Sequence, residues 1–159
     1  FLKNLEPPAG SKSVEEMREI IGLADRPFLI KGIMTVQGAI KAREAGADGI
    51  VVSNHGGRQV DGAVAALDAL PAIVEAVGDR LTVLLDSGVR NGVDIFKALA
   101  LGADAVVIAR PFVTAVYGGG AEGVKIYVDK LKGELEDTMR MCGASSLAEI
   151  HRGMVRCSF

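Results

Sequence analysis

The 159-residue sequence contains no tryptophan, two tyrosines, two histidines and two cysteines. With aromatics at 4% and charged residues at 24%, a core here must be built from aliphatic side chains. A hydrophobic share of 49% is more than a disordered chain carries. The formal net charge is only −2, which leaves no basic surface calling for nucleic acid or anionic lipid. Apolar runs are short; the longest, such as Ala105 to Ala109, fall far below the length of a membrane-spanning helix. Cys142 and Cys157 belong to no metal-ligand cluster and read as the reduced thiols of a cytoplasmic protein. No signal peptide is visible, and the first residue, Phe1, fits a processed product or a fragment.

What is abundant is glycine, at 20 residues, much of it just after apolar β-branched runs. Those are places where a chain turns sharply or where backbone approaches a ligand. The glycines also mark a repeat. KGIMTVQGAIKAREAGADGIVVSN (31–54) aligns without a gap with SGVRNGVDIFKALALGADAVVIAR (87–110). Matching pairs include Gly32/Gly88, Lys41/Lys97, Gly46/Gly102, Ala47/Ala103 and Asp48/Asp104. Each copy passes from a strand end through a helix to a Gly-Ala-Asp turn and a second apolar strand.

Residues 1–12 read as a loop lead-in, with Pro7-Pro8 opposing regular structure, and 13–159 as one domain. Ser13 and Glu16 form a capping-box pattern opening a helix to about Leu23. Strands are expected near 28–32, 49–53, 82–86 and 105–109. Helices are expected near 35–45, 64–77, 91–101 and 121–142. Four βα units with continuous apolar strands imply a parallel sheet covered by helices. A small doubly wound sheet and half of a (β/α)8 barrel both satisfy this order. The two-unit repeat favours the half-barrel, whose chemistry would sit at the C-terminal strand ends.

Polar residues collect at those ends: Lys31, Ser53-Asn54-His55, Asp86-Ser87 and Arg110. The turn Asp86-Ser87-Gly88-Val89-Arg90 precedes a helix, so free N–H groups and a guanidinium can meet an anion there. Ala109-Arg110-Pro111 is a second such turn, with Pro111 suited to a helix start. Taken singly, each is equally well an ordinary capped turn; two on consecutive strands point to an anion site. Lys31, at the end of an apolar strand, either snorkels to solvent or faces a ligand that gains negative charge. In SNHGGRQ (53–59), Arg58 has the geometry to clamp a carboxylate and His55 to take a proton beside it. Gly56 and Gly57 would let a ligand pack on the backbone. A solvated loop histidine is the plain alternative for His55 and the preferred reading of His151, while Asn54 reads as a turn former.

With SNHGGRQ, DSGVR and the tail YGGGAEGVKIYVDKLKGEL in unbroken order, residues from about Phe28 to Ile150 resemble the FMN-dependent α-hydroxy-acid oxidases and dehydrogenases of the glycolate and lactate oxidase type. The resemblance implies FMN as cofactor and a small 2-hydroxy acid as substrate. It implies that Lys31 sits by the flavin N1/O2 edge and that Ser53 hydrogen-bonds the flavin. His55 would be the base and a substrate contact, and Arg58 the carboxylate clamp. Asp86 would bind the ribityl chain. Ser87, Gly88 and Val89, with Arg90, Ala109 and Arg110, would bind the phosphate. Two departures stand out. Ala109 replaces the family's usual glycine, and the four strands supply only strands 5–8 of the family's eight. The other half would carry the substrate-binding tyrosine and the carboxylate partner of the histidine. An N-terminal half-barrel or a homo-oligomer is therefore the expected partner, with no nucleic acid or membrane. A non-catalytic FMN- or phosphate-binding half-barrel, an assembly module, or another FMN barrel oxidoreductase are the alternatives.

Overall fold

The computed structural model describes residues 10–156. Pro7-Pro8 and most of the expected lead-in, together with Cys157, lie outside that span. Residues 10–12 carry no regular element, and the Lys12 ammonium donates to the Gly10 carbonyl. Helix α1 (Val14–Gly22) then opens on the expected capping box: Ser13 Oγ accepts from Glu16 N at 3.2 Å, and Glu16 Oε2 accepts from Ser13 N at 2.7 Å.

Alternation follows as β1 (Leu29–Ile33), α2 (Val36–Glu44), β2 (Gly49–Val52), α3 (Ala66–Val77), β3 (Thr82–Leu85), α4 (Gly92–Ala100), β4 (Ala105–Val106) and α5 (Arg110–Cys142). The strands lie side by side in the order β1-β2-β3-β4, and every pairing is parallel. A doubly wound sheet reverses its strand order partway; this one never does, as in a barrel wall.

The repeat recurs in its turns, with a one-residue shift in the partner. Asp48 accepts from Phe28 N at 2.7 Å, and its counterpart Asp104 accepts from Val83 N at 2.8 Å. Each carboxylate thus ties the turn before one strand to the start of the preceding strand. Gly46 (φ +90°) and Gly102 (φ +99°) end the helices ahead of these turns in the left-handed conformation, where a side chain would be strained. Thr35 and Asn91 cap α2 and α4 at equivalent positions, accepting from Gly38 N and Asp94 N.

Strand alternation sends two sets of side chains to opposite faces. Ile50, Val52, Val83 and Leu85 are buried on one face with Leu70, Ile73 and Val77 of α3. Lys31, Val51, Leu84 and Ala105 share one register row on the other face. Among the described residues no helix covers that face; Leu29 there is 42% exposed and Val107 38%, while the central Val51 is 7% exposed.

Two elements differ from expectation. The last helix starts at Arg110 rather than near 121, because Pro111 opens it and residues 110–118 are already helical. The glycine run marks a break inside this helix, at Gly119 and Gly120, instead of its beginning. Strand β4 is also shorter than the 105–109 expected. Among the described residues it pairs only with β3, as an edge strand; one further bond, Val107 N to Leu85 O, extends the ladder before the chain turns into α5.

Candidate functional site

The C-terminal ends of the strands surround an open cavity of about 280 Å³. Lys31 reaches it from β1, His55 and Arg58 from the loop after β2, and Asp86 to Arg90 from the turn after β3. Ala109 and Arg110 close it from the turn after β4. Every expected site residue lines this cavity except Ser53, which lines an adjoining one shared with Lys31 and His55. Four cationic side chains face a single carboxylate there, so the cavity favours anions.

Ion pairing explains how Lys31 sits at the end of an apolar strand. Its ammonium pairs with the Asp86 carboxylate and donates to Ser53 Oγ at 2.8 Å. Asp86 is only 15% exposed, whereas Lys31 is half exposed. Burial pushes the Asp86 carboxyl up, but hydrogen bonds from Lys31 and from serine hydroxyls outweigh it. The net shift is below the ordinary carboxylate range. Asp86 is therefore an anion at neutral pH.

The turn after β3 is built to present donors. Among the described residues, the N–H groups of Ser87, Gly88 and Val89 have no protein acceptor. Val89, 7% exposed, anchors the turn in the core. The Arg90 backbone is held at both ends: its N–H donates to Asp94 Oδ2 at 3.0 Å, and its carbonyl accepts from Tyr127 Oη at 2.8 Å. The Arg90, Arg110 and Arg58 side chains have no carboxylate partner among the described residues. Three consecutive N–H donors flanked by unpaired guanidinium groups fit a phosphate group, and with the Lys31 ammonium nearby the donor set as a whole fits FMN.

His55 (φ +58°), Gly56 (φ +70°) and Gly57 (φ +72°) form one tight left-handed turn, with Gly57 N donating to the Asn54 carbonyl at 3.1 Å. Gly56 also answers to this chain's own packing, because the Arg110 guanidinium occupies the space a side chain would take. A methyl there would lie 2.3 Å from Arg110 Nη2, and the residue has φ +70°. Arg110 thus crosses over the His55 loop, its guanidinium pointing at the Gly56 carbonyl at 3.5 Å. Gly57, by contrast, has open space where a side chain would be. Asn54 is structural, as read: its side chain accepts from Gly57 N and donates to the Val64 carbonyl. His151 is too, accepting from Gly153 N in a turn near the C-terminus.

Sequence reasoning missed Tyr127 and Asp94, which fix Arg90, and the Ser87 hydroxyl. Asp94 had a signal, because Asn91 and Asp94 stand at the spacing of a helix cap and its third residue. Tyr127, 37 positions from Arg90, had none.

A parallel half-barrel wall with an anion-binding turn and a histidine–arginine loop at its strand ends defines a barrel-type protein for a phosphate-bearing ligand. The chain belongs to the FMN-dependent dehydrogenase family, whose model matches residues 4–157. It is 50% identical to a peroxisomal (S)-2-hydroxyacid oxidase of Arabidopsis thaliana, over 91% of this chain and 39% of that protein. It is 44% identical to an L-lactate oxidase of Lactobacillus jensenii, over 92% of this chain and 35% of that protein. The solved structure of mandelate oxidase with benzoyl-formic acid superposes with a TM-score of 0.84 at 42% identity, covering 89% of this chain and 42% of that one. The chain thus spans about two fifths of the length of these relatives, and its four βα units are the C-terminal half of their (β/α)8 barrel, strands 5–8.

Proposed function

We propose that this chain forms the C-terminal half of an FMN-dependent enzyme that oxidises a small 2-hydroxy acid, of the lactate or glycolate type, to the 2-oxo acid. One observation carries the reading: His55, three arginines with no carboxylate partner among the described residues, and the Lys31–Asp86 pair all face one cavity at the strand ends. The N–H groups of Ser87 to Val89, with Arg90 and Arg110, would hold the FMN phosphate. Lys31 would face the ring edge that becomes negative on reduction, and Asp86 the ribityl hydroxyls. Ser53 and Ala109 would complete the flavin contacts. Bound there, FMN supplies a two-electron acceptor. Arg58 binds the substrate carboxylate through its planar fork and sets the hydroxyl-bearing carbon against His55. His55 accepts a proton from the substrate as its two electrons leave.

The test is His55→Ala in the assembled, flavin-loaded protein. The variant should stay yellow yet fail to bleach when L-lactate or glycolate is added without oxygen. Bleaching at the wild-type rate would remove His55 from the role of base. A wild-type protein that holds flavin but is bleached by no 2-hydroxy acid would instead be a non-catalytic FMN-binding half-barrel.

A further inference from the structure

We propose that the Ser87 hydroxyl is a positioning group that latches the His55 loop onto the turn after β3. His55 (φ +58°) and Ser87 (φ +71°) are the two non-glycine residues with positive φ among those described. Such conformations persist where surrounding contacts enforce them, and they gather at functional sites.

The contacts that enforce this one are specific. Three successive N–H groups of the loop each donate to a side chain: His55 N to Ser53 Oγ at 3.2 Å, Gly56 N to Ser87 Oγ at 3.0 Å, and Gly57 N to Asn54 Oδ1 at 3.0 Å. Ser53 and Asn54 belong to the loop's own segment. Ser87 is the one side-chain acceptor from another strand end, and its 3.0 Å bond is tighter than the 3.5 Å approach of the Arg110 guanidinium to the Gly56 carbonyl. The Ser87 proton goes to Asp86 Oδ1 at 2.7 Å, which turns an oxygen lone pair toward Gly56. Asp86 is in turn held by Lys31. Glycine at 87 would adopt the same backbone without strain. A serine there adds one thing glycine lacks, the hydroxyl that joins the two turns. The position of the His55 ring is thereby tied to the Lys31–Asp86 pair. For its catalytic meaning this inference rests on the proposed role of His55.

The experiment compares the full chain with Ser87→Gly and Ser87→Ala. Ser87→Gly removes the hydroxyl and relieves the backbone, so it should fold; Ser87→Ala removes the hydroxyl alone. Hydrogen exchange of the segment 54–58 should rise roughly five- to tenfold in both, the range expected for one neutral hydrogen bond, with β2 and α4 unchanged. The chain has two histidines, so His151 is an internal control. The ring resonances of His55 should shift in both variants while those of His151 stay in place. Unchanged exchange at 54–58 and an unmoved His55 signal in both variants would overturn the latch. Neither readout needs flavin, so the latch stands or falls separately from the catalytic role, which His55→Ala decides.

Discussion

Replacing Asp86 with asparagine keeps the size of the side chain and removes the charge that the site is built around. The carboxylate accepts from both Lys31 and Ser87 and is 15% exposed. A hydrogen bond to a charged group contributes about 1.5–3 kcal/mol. Lys31 is half exposed, so solvent screens part of the attraction and brings the expected loss down to about 1–2 kcal/mol. The amide keeps one acceptor oxygen where the carboxylate has two, so either the Lys31 ammonium or the Ser87 hydroxyl then faces an NH2 group that cannot accept. Urea unfolding at pH 7 and one fixed protein concentration should therefore show Asp86→Asn less stable by about 1–2 kcal/mol.

The same carboxylate gives that difference a pH dependence with a definite sign. Its folded-state pKa lies below the ordinary value because Lys31 and the serine hydroxyls outweigh burial. Its contribution is present above the unfolded pKa, near 3.9, and is lost as pH falls through the lower folded value. The gap between wild type and Asp86→Asn should be full at pH 7 and should shrink below about pH 4. A Lys31→Met, Asp86→Asn double-mutant cycle isolates the pair itself. A gap that stays constant from pH 7 to pH 3, or a coupling energy of zero, would refute the reasoning.

Three other substitutions test separate parts of the structure. Arg90→Ala should weaken FMN binding by about one to two decades, the loss of a charge-assisted contact, and equal affinity by fluorescence titration would remove Arg90 from the phosphate site. Arg58→Lys should raise the KM for hydroxy acid more than it lowers kcat, because an ammonium cannot reproduce the planar fork; an unchanged KM would exclude a carboxylate clamp. Gly92→Ala would place a methyl 2.2 Å from Leu135 N, where α4 meets α5 and Gly92 N donates to Glu134 Oε2. Overpacking of backbone against backbone should cost about 3 kcal/mol, and a thermal midpoint equal to wild type would show that α5 yields.

What could be read in the sequence was what repeats or alternates. Asp48 and Asp104 do the same job because the same local turn recurs, and the apolar runs of β2 and β3 mark strands buried under helices. Arg90, Arg110, Lys31 and His55 stood out because polar and charged residues at the ends of apolar strands have few structural uses. Long-range contacts left no such trace. Glu134, 42 positions from Gly92, looks like any charged residue of a surface helix until α5 folds back across α4. The length of β4 was illegible for a similar reason, since an edge strand ends where its neighbour stops pairing. Ser87 was visible only as part of a turn; its strained backbone and its bond to Gly56 exist only once β2 and β3 lie side by side.

The strand count bears on how this chain behaves by itself. Among the described residues, four parallel strands leave one free edge at β1 and another at β4, and unpaired parallel edges attract further strands. The inner face of the sheet adds partly open Leu29 and Val107 around the Lys31 row. Among the described residues helices cover only the opposite face, and no strand pairs with either edge. The repeat supplies a geometry for joining two copies. Since β1-α2-β2 matches β3-α4-β4 in sequence, the existing β2–β3 pairing is a template for β4 of one copy against β1 of the next. Two such junctions would close an eight-stranded ring. The 159-residue chain by itself should therefore self-associate at micromolar concentration, and an added N-terminal half-barrel of a relative should compete for the same edges. Sedimentation equilibrium over a hundredfold concentration range distinguishes the outcomes. A single monomeric species throughout, unfolding cooperatively, would mean that the edges and inner face are tolerated in water and that the strand-count argument is wrong.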